Sequence, residues 1–219
     1  MKTSLALVSL LALSAGLHAN ETPTKVAHAA KIVNIEAKIQ RTPDFEANGL
    51  EAKKFRPREW VEIEAEVEVK TSNPTGYIPA LQAEWSAVVM KDNPNRKVKG
   101  QPKAFPYKLS GVSEFKNIRT KDGKVFLSAY IEPHTLTQFF GDGRINLRDF
   151  TGFALKLTGD DLMPQNDKRP GVMMSTVKGG EKFLEEWKYD YSDEGIVAKS
   201  KSPFAMMWID RYPAEKAGG

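Results

Sequence analysis

The 219-residue sequence has no cysteine. That excludes a disulfide framework, a thiolate nucleophile, a cysteine metal site and lipid attachment at a cysteine. Histidine is nearly as scarce, with only His18, His28 and His134. The first two lie near the N-terminus, so a Ser-His-Asp or metal–histidine site in the body would depend on His134 alone. The sequence contains no G-x-S-x-G, no G-x-x-x-x-G-K-[ST] and no G-x-G-x-x-G. Charge of one sign is also lacking: 32 Lys and Arg stand against 28 Asp and Glu, a net +4. The excess is spread along the chain without a basic patch interleaved with aromatics, which argues against nucleic acid. Beyond the N-terminal segment no apolar run reaches the roughly 20 residues of a membrane span.

Residues 1–19 have the form of a secretory signal peptide. Lys2 is the positive start, Leu5 to Leu17 the apolar stretch, and Ala19 the cleavage residue. The apolar stretch is too short for a stable transmembrane anchor. The expected address is therefore the periplasm, the outer surface or the medium. Residues 20–30 (NETPTKVAHAA) read as a flexible lead-in and 31–219 as a single domain. Without disulfides this domain must be held by burial, feasible at this length, where about 70% of the unfolded surface is lost to solvent.

What the chain does have is alternation. From Trp60 to Lys70, Val61, Ile63, Ala65, Val67 and Val69 alternate with Glu62, Glu64, Glu66 and Glu68. Successive strand side chains point to opposite faces, so one face is aliphatic and the other carboxylate. Lys31–Gln40, Ala80–Met90, Lys124–Glu132 and the Phe153/Leu155/Leu157 row repeat the pattern, and 98–118 holds broken β signals. SNPTG at 72–76 and DNPN at 92–95 are turn chemistry, and KDG at 121–123 suggests a hairpin. Pro133–Phe140 suits a short helix ended by Gly141. Lys182–Tyr191 reads as a strand with Phe183, Trp187, Tyr189 and Tyr191 on one side, or as a helical turn around LEEWK. Phe204–Tyr212 suits a central strand or a helix after Pro203. The sum is the pattern of an all-β antiparallel sandwich of about eight strands with one or two short helices.

Few residues suggest chemistry. The four glutamates of 62–68 could be a cation site, but neighbours on one face stand about 7 Å apart, too far to grip one ion. They read as a solvated face matched by lysines on adjacent strands. Asp160, Asp161, Asn166 and Asp167 share a loop, without EF-hand spacing. No pair among the 28 acids stands out as a glycosidase pair. Trp187, Tyr189 and Tyr191 are the candidate ligand or partner surface, as a stacking row for sugars or proteins; the same row could instead pack in the core. No catalytic residue, cofactor or metal is expected.

Four stretches carry a family resemblance: FRPREWVEIEAEVEV, ALQAEWSAVVMK, PGVMMSTVKGGEKF and KSPFAMMWIDRYP. From about residue 31 to 213 the chain resembles the pilus-like family of secreted Verrucomicrobial proteins encoded beside pilus-secretion genes. The resemblance implies an immunoglobulin-like sandwich with a cell-surface or pilus-associated role, and brings no catalytic residues. The long apolar N-terminal helix of type IV pilins is replaced here by an ordinary export signal, so that route to polymerisation is not expected. The resulting expectation is a secreted, non-enzymatic structural or adhesion protein that acts through contacts with other surface or pilus proteins. A carbohydrate-binding module is the alternative, with host or glycan ligands, and a hydrolase the least favoured reading.

Overall fold

A computed structural model describes residues 27–43, 57–93, 97–141, 145–164, 171–187 and 192–216. The expected signal segment 1–19 lies outside them. The described strands are β1 (His28–Arg41), β2 (Glu59–Thr71), β3 (Tyr77–Asp92), β4 (Ala104–Arg119), β5 (Lys124–Ile131), β6 (Phe150–Thr158), β7 (Val172–Ser175), β8 (Ser192–Asp193) and β9 (Ile196–Ala198). Two short helices join them, α1 (Pro133–Phe140) and α2 (Gly180–Glu185).

The strands form two sheets in the orders β1-β2-β5-β9 and β7-β6-β3-β4-β8, every pairing antiparallel except β4 with β8. This is an all-β sandwich with its core between the sheets. Alternation decides which residues enter the core. On β2, Val61, Ile63, Ala65, Val67 and Val69 are buried, and on β3 Leu81, Ala83, Trp85, Ala87 and Val89 are. Val125, Leu127, Ala129 and Ile131 of β5 and Phe153, Leu155 and Leu157 of β6 complete the two inner faces. Each large aliphatic among them contributes about 2 kcal/mol of transfer free energy.

Strand β4 explains why 98–118 gives a broken signal. Leu109, Phe115 and Ile118 are all buried, an odd-to-even change of phase. Between the pairs Ile78↔Ile118 and Ala80↔Lys116 lie Pro79 and Asn117, the latter at φ 52°. The inward rows of both strands shift there by one residue, which returns Ile78 and Ile118 to the core together.

KDG does not close a hairpin. Gly123, at φ 69°, turns the chain from β4 in one sheet to β5 in the other. SNPTG likewise carries β2 across to β3, and Thr120 donates through both N–H and Oγ to the Gly76 carbonyl, tying the two crossings side by side. Helix α1 matches its expected span, with proline in its first turn and Gly141 at its end.

Two segments correct the sequence reading. Residues 180–185 are helical rather than a strand, starting after Gly179 at φ 77°. Phe183 and Trp187 are spaced by four, a separation that fits a strand face and a helix face equally well. Phe204–Tyr212 is neither strand nor helix but a run of turns. Met207 N–H donates to the Phe204 carbonyl and Arg211 N–H to that of Trp208, whose φ is 53°.

Candidate functional surface

The outer face of β2 is where the structure departs most from a plain wet sheet. Glu66 and Glu68 behave as expected, paired with Lys124 of β5 at 2.5 Å and Lys31 of β1 at 4.0 Å. Glu62 and Glu64 do not. They are covered by the C-terminal turns, which cross the outside of β2 and β5. Glu62 is only 4% exposed. It accepts hydrogen bonds from Tyr130 Oη and Gln40 Nε2, both at 2.8 Å. Glu64 accepts a two-pronged contact from Arg211, Nε to Oε2 at 3.0 Å and Nη2 to Oε1 at 2.8 Å. The Tyr212 hydroxyl sits 2.5 Å from Glu64 Oε2 and 3.3 Å from Glu62 Oε1, so its proton serves the nearer carboxylate.

The strap is anchored along its length. Phe204 stacks on Tyr130 at 4.6 Å between centroids and meets Trp60 edge-on at 5.9 Å. The Arg211 guanidinium lies 3.8 Å above the Phe126 ring. Lys199, 6% exposed, donates from Nζ to the Ala205 carbonyl at 2.9 Å and stands 5.3 Å from the Tyr212 ring. The Glu215 carboxylate accepts from the N–H groups of Lys199 and Ser200. Lys116 N–H donates to the Ala214 carbonyl and Lys216 N–H to that of Glu114, so the strap ends against the edge of β4. It thereby links the outer face of one sheet to the edge of the other.

The electrostatics follow from that burial. Desolvation raises the Glu64 carboxyl, but the Arg211 and Tyr212 hydrogen bonds and the Arg211 charge outweigh it and hold it below its ordinary value. Burial, with Glu62 alongside, holds the Tyr130 phenol well above the ordinary tyrosine range; burial and Glu64 do the same for Tyr212. Burial lowers the Lys199 ammonium against the pull of Glu215 and Glu62. Each of the four carboxylates is engaged by donors or cations, so the ladder offers neither a free general base nor a cation cage. No group of metal-ligating side chains occurs among the described residues.

The other residues singled out from sequence are scattered. His134 is exposed at the start of α1, its Nε2 3.3 Å from Gln138 Nε2. His28 is buried on β1 with Nδ1 2.7 Å from Thr71 Oγ1. Asp160 and Asp161 lie in a turn, while Asn166 and Asp167 fall outside the described residues. Trp187 follows α2, half-buried, edge-to-face with Phe183 at 5.1 Å and 5.8 Å from Lys108 Nζ. Tyr189 and Tyr191 lie outside the described residues.

Strand β1 supplies the remaining feature. Among the described residues it pairs only with β2, apart from a bridge at His28 to the 161–163 turn. Ser72 N–H donates to the Ala27 carbonyl and Thr42 N–H to that of Arg58, with a one-residue shift between Ile32 and Asn34. Antiparallel alternation then turns the backbone of Ile35, Ala37, Ile39 and Arg41 away from β2. Their N–H and C=O groups form a row along the sheet edge.

With the geometry in place, comparisons add three facts. A family model for pilus-like proteins matches residues 21–218. A crystal structure of a protein from Akkermansia muciniphila has a TM-score of 0.70 at 15% sequence identity, covering 89% of this chain and 96% of that one. At that identity the likeness shows the fold alone. No curated protein matches the sequence.

Proposed function

From the premise that the chain belongs to this pilus-like family, we propose that it is an exported, non-catalytic surface or pilus-associated structural protein that works by protein–protein contact. The observation that carries the proposal is the outward backbone row of Ile35, Ala37, Ile39 and Arg41 on β1. An edge with unpaired N–H and C=O groups takes an added strand, and side chains of the arriving segment set specificity. Ile39, 37% exposed, offers an apolar contact at that edge. Export rests on the signal-like residues 1–19, and the family match begins just beyond them at residue 21. No described helix is long and apolar enough to cross a membrane.

An immunoglobulin-like identity for the 31–219 domain is part of this reading. Its support is the strand order: β1-β2-β5 opposite β4-β3-β6-β7 parallels A-B-E opposite C′-C-F-G. Trp85, 1% exposed on the third strand, stands where such sandwiches carry a buried tryptophan.

Two proline variants test the edge. Ala37→Pro removes an N–H that points away from β2, so the domain should fold and association with its surface partners should fail. Lys38→Pro removes an N–H bonded to β2 and should cost folding itself. Association that survives Ala37→Pro in a folded protein overturns the proposal.

A further inference from the structure

We propose that the β1 edge pairs with the β1 edge of a second copy of this chain, antiparallel about a two-fold axis at Ala37. Self-pairing rests on the open edge assigned above and names its occupant. The sequence NIEAKIQ at 34–40 is matched to its own reverse around Ala37. Turned about that residue, the strand sets isoleucine on isoleucine, glutamate on lysine and asparagine on glutamine. A two-fold contact needs a surface of this kind, one that complements itself.

The backbone phase agrees with the pattern. Ile35, Ala37 and Ile39 turn their N–H and C=O groups away from β2. With Ala37 facing Ala37, Ile35 of each copy faces Ile39 of the other, and each such pair exchanges both its N–H···O bonds. Ile39, 37% exposed, then lies beside Ile35 on the core side, which covers its apolar surface. On the outer side Glu36 of each copy faces Lys38 of the other. Lys38 already stands 3.4 Å from Glu36 of its own strand, so the contact joins these ion pairs into a ring of alternating charge. Glu36 also lies opposite Glu64 of β2, and the second copy brings it a cation on the open side. The extra residue Val33, between Ile32 and Asn34, ends the regular row.

Charge selects the register. An axis at Lys38 sets Lys38 against Lys38, and an axis at Glu36 sets Glu36 against Glu36. Parallel in-register pairing does both, and like charges directly opposite destabilise a sheet. Among these arrangements, only the axis at Ala37 puts opposite charges face to face. The product is a continuous sheet in the order β9-β5-β2-β1-β1-β2-β5-β9. A lone strand edge is a small contact, in the class below about 1,200 Å² where association is weak and is favoured by crowding at a surface.

Sedimentation equilibrium of the mature protein, from micromolar to millimolar concentration, should show a monomer–dimer equilibrium. Glu36→Lys and Lys38→Glu, both at exposed positions, should each weaken it by about tenfold or more. An equimolar mixture of the two variants should recover it, because each lysine again meets a glutamate. The chain has no cysteine, so single cysteines report the register. Facing residues of a hydrogen-bonded pair stand about 5.5 Å apart, within disulfide reach. Ala37→Cys should give a disulfide-linked dimer under mild oxidation, whereas Ile39→Cys, displaced by about 13 Å along the strand from its copy, should not. Monomers throughout, a dimer indifferent to both charge reversals, or equal cross-linking at 37 and 39 overturn the proposal. Monomers throughout, with association to other surface proteins still lost in Ala37→Pro, remove the self-pairing and leave the edge as a docking strip for those partners.

Discussion

Arg211 and Glu64, 147 residues apart in sequence, meet in a two-pronged ion pair that fastens the C-terminal turns to the outside of β2. Beside it, Tyr212 and Tyr130 bring hydroxyls to Glu64 and Glu62. A face that would otherwise be solvated becomes partly interior, and the energetics of the strap follow.

Arg211→Ala should release the end of the strap without unfolding the sandwich. The Arg211 side chain is 43% exposed, so solvent screens much of the pair, and a loss of about 1 kcal/mol is expected. The readouts are a small drop in melting temperature and faster tryptic cleavage after Lys201.

Glu62→Ala should cost more, about 3 kcal/mol, because it strands the buried Tyr130 hydroxyl. Glu62→Gln keeps an acceptor at that position and should cost less. Urea denaturation of the two variants beside wild type checks the order.

Stability should fall at both ends of the pH scale. Glu64 is held below its ordinary value of 4.5, so its contribution is present above that pH and is lost as pH falls through the folded value. Tyr130 and Tyr212 are raised above their ordinary 10.0, so their contribution is complete below that pH and is lost as pH rises. Glu64→Gln should flatten the acid limb and Tyr130→Phe the alkaline limb of melting temperature against pH.

Gly111→Ala should destabilise the protein by about 3 kcal/mol through overpacking. An added Cβ would lie 2.0 Å from the Ile196 carbonyl oxygen, a backbone atom of β9 that cannot swing aside. Thermal melts against a Gly76→Ala control separate this clash from conformational cost, since Gly76, at φ 72°, has open space around it.

Much of the sandwich was legible because period-two alternation ties sequence position to face. Val61 to Val69 and Leu81 to Val89 took their expected places for that reason. What stayed hidden depended on distant partners or on degenerate spacing. Nothing local tells Glu62 from Glu66; the difference is a strap that arrives from residues 204–212. Phe183 and Trp187 satisfy two periods at once, and Gly179 resolves them toward a helix. KDG specifies a turn, yet turn chemistry does not say which sheet the next strand joins. The apolar run FAMMWIDRY suggested a buried element, but only Phe204 is fully inside, while Met206, Trp208 and Ile209 are exposed on the turns.

The β1 edge is tested most directly by amide hydrogen exchange, comparing the isolated protein with its assembled, surface-associated form. The amides of Ile35, Ala37, Ile39 and Arg41 should exchange readily in the isolated protein and become protected on assembly. Those of Glu36 and Lys38, already bonded to β2, should change little. Protection confined to other surfaces, with the four outward amides unchanged, would contradict the account.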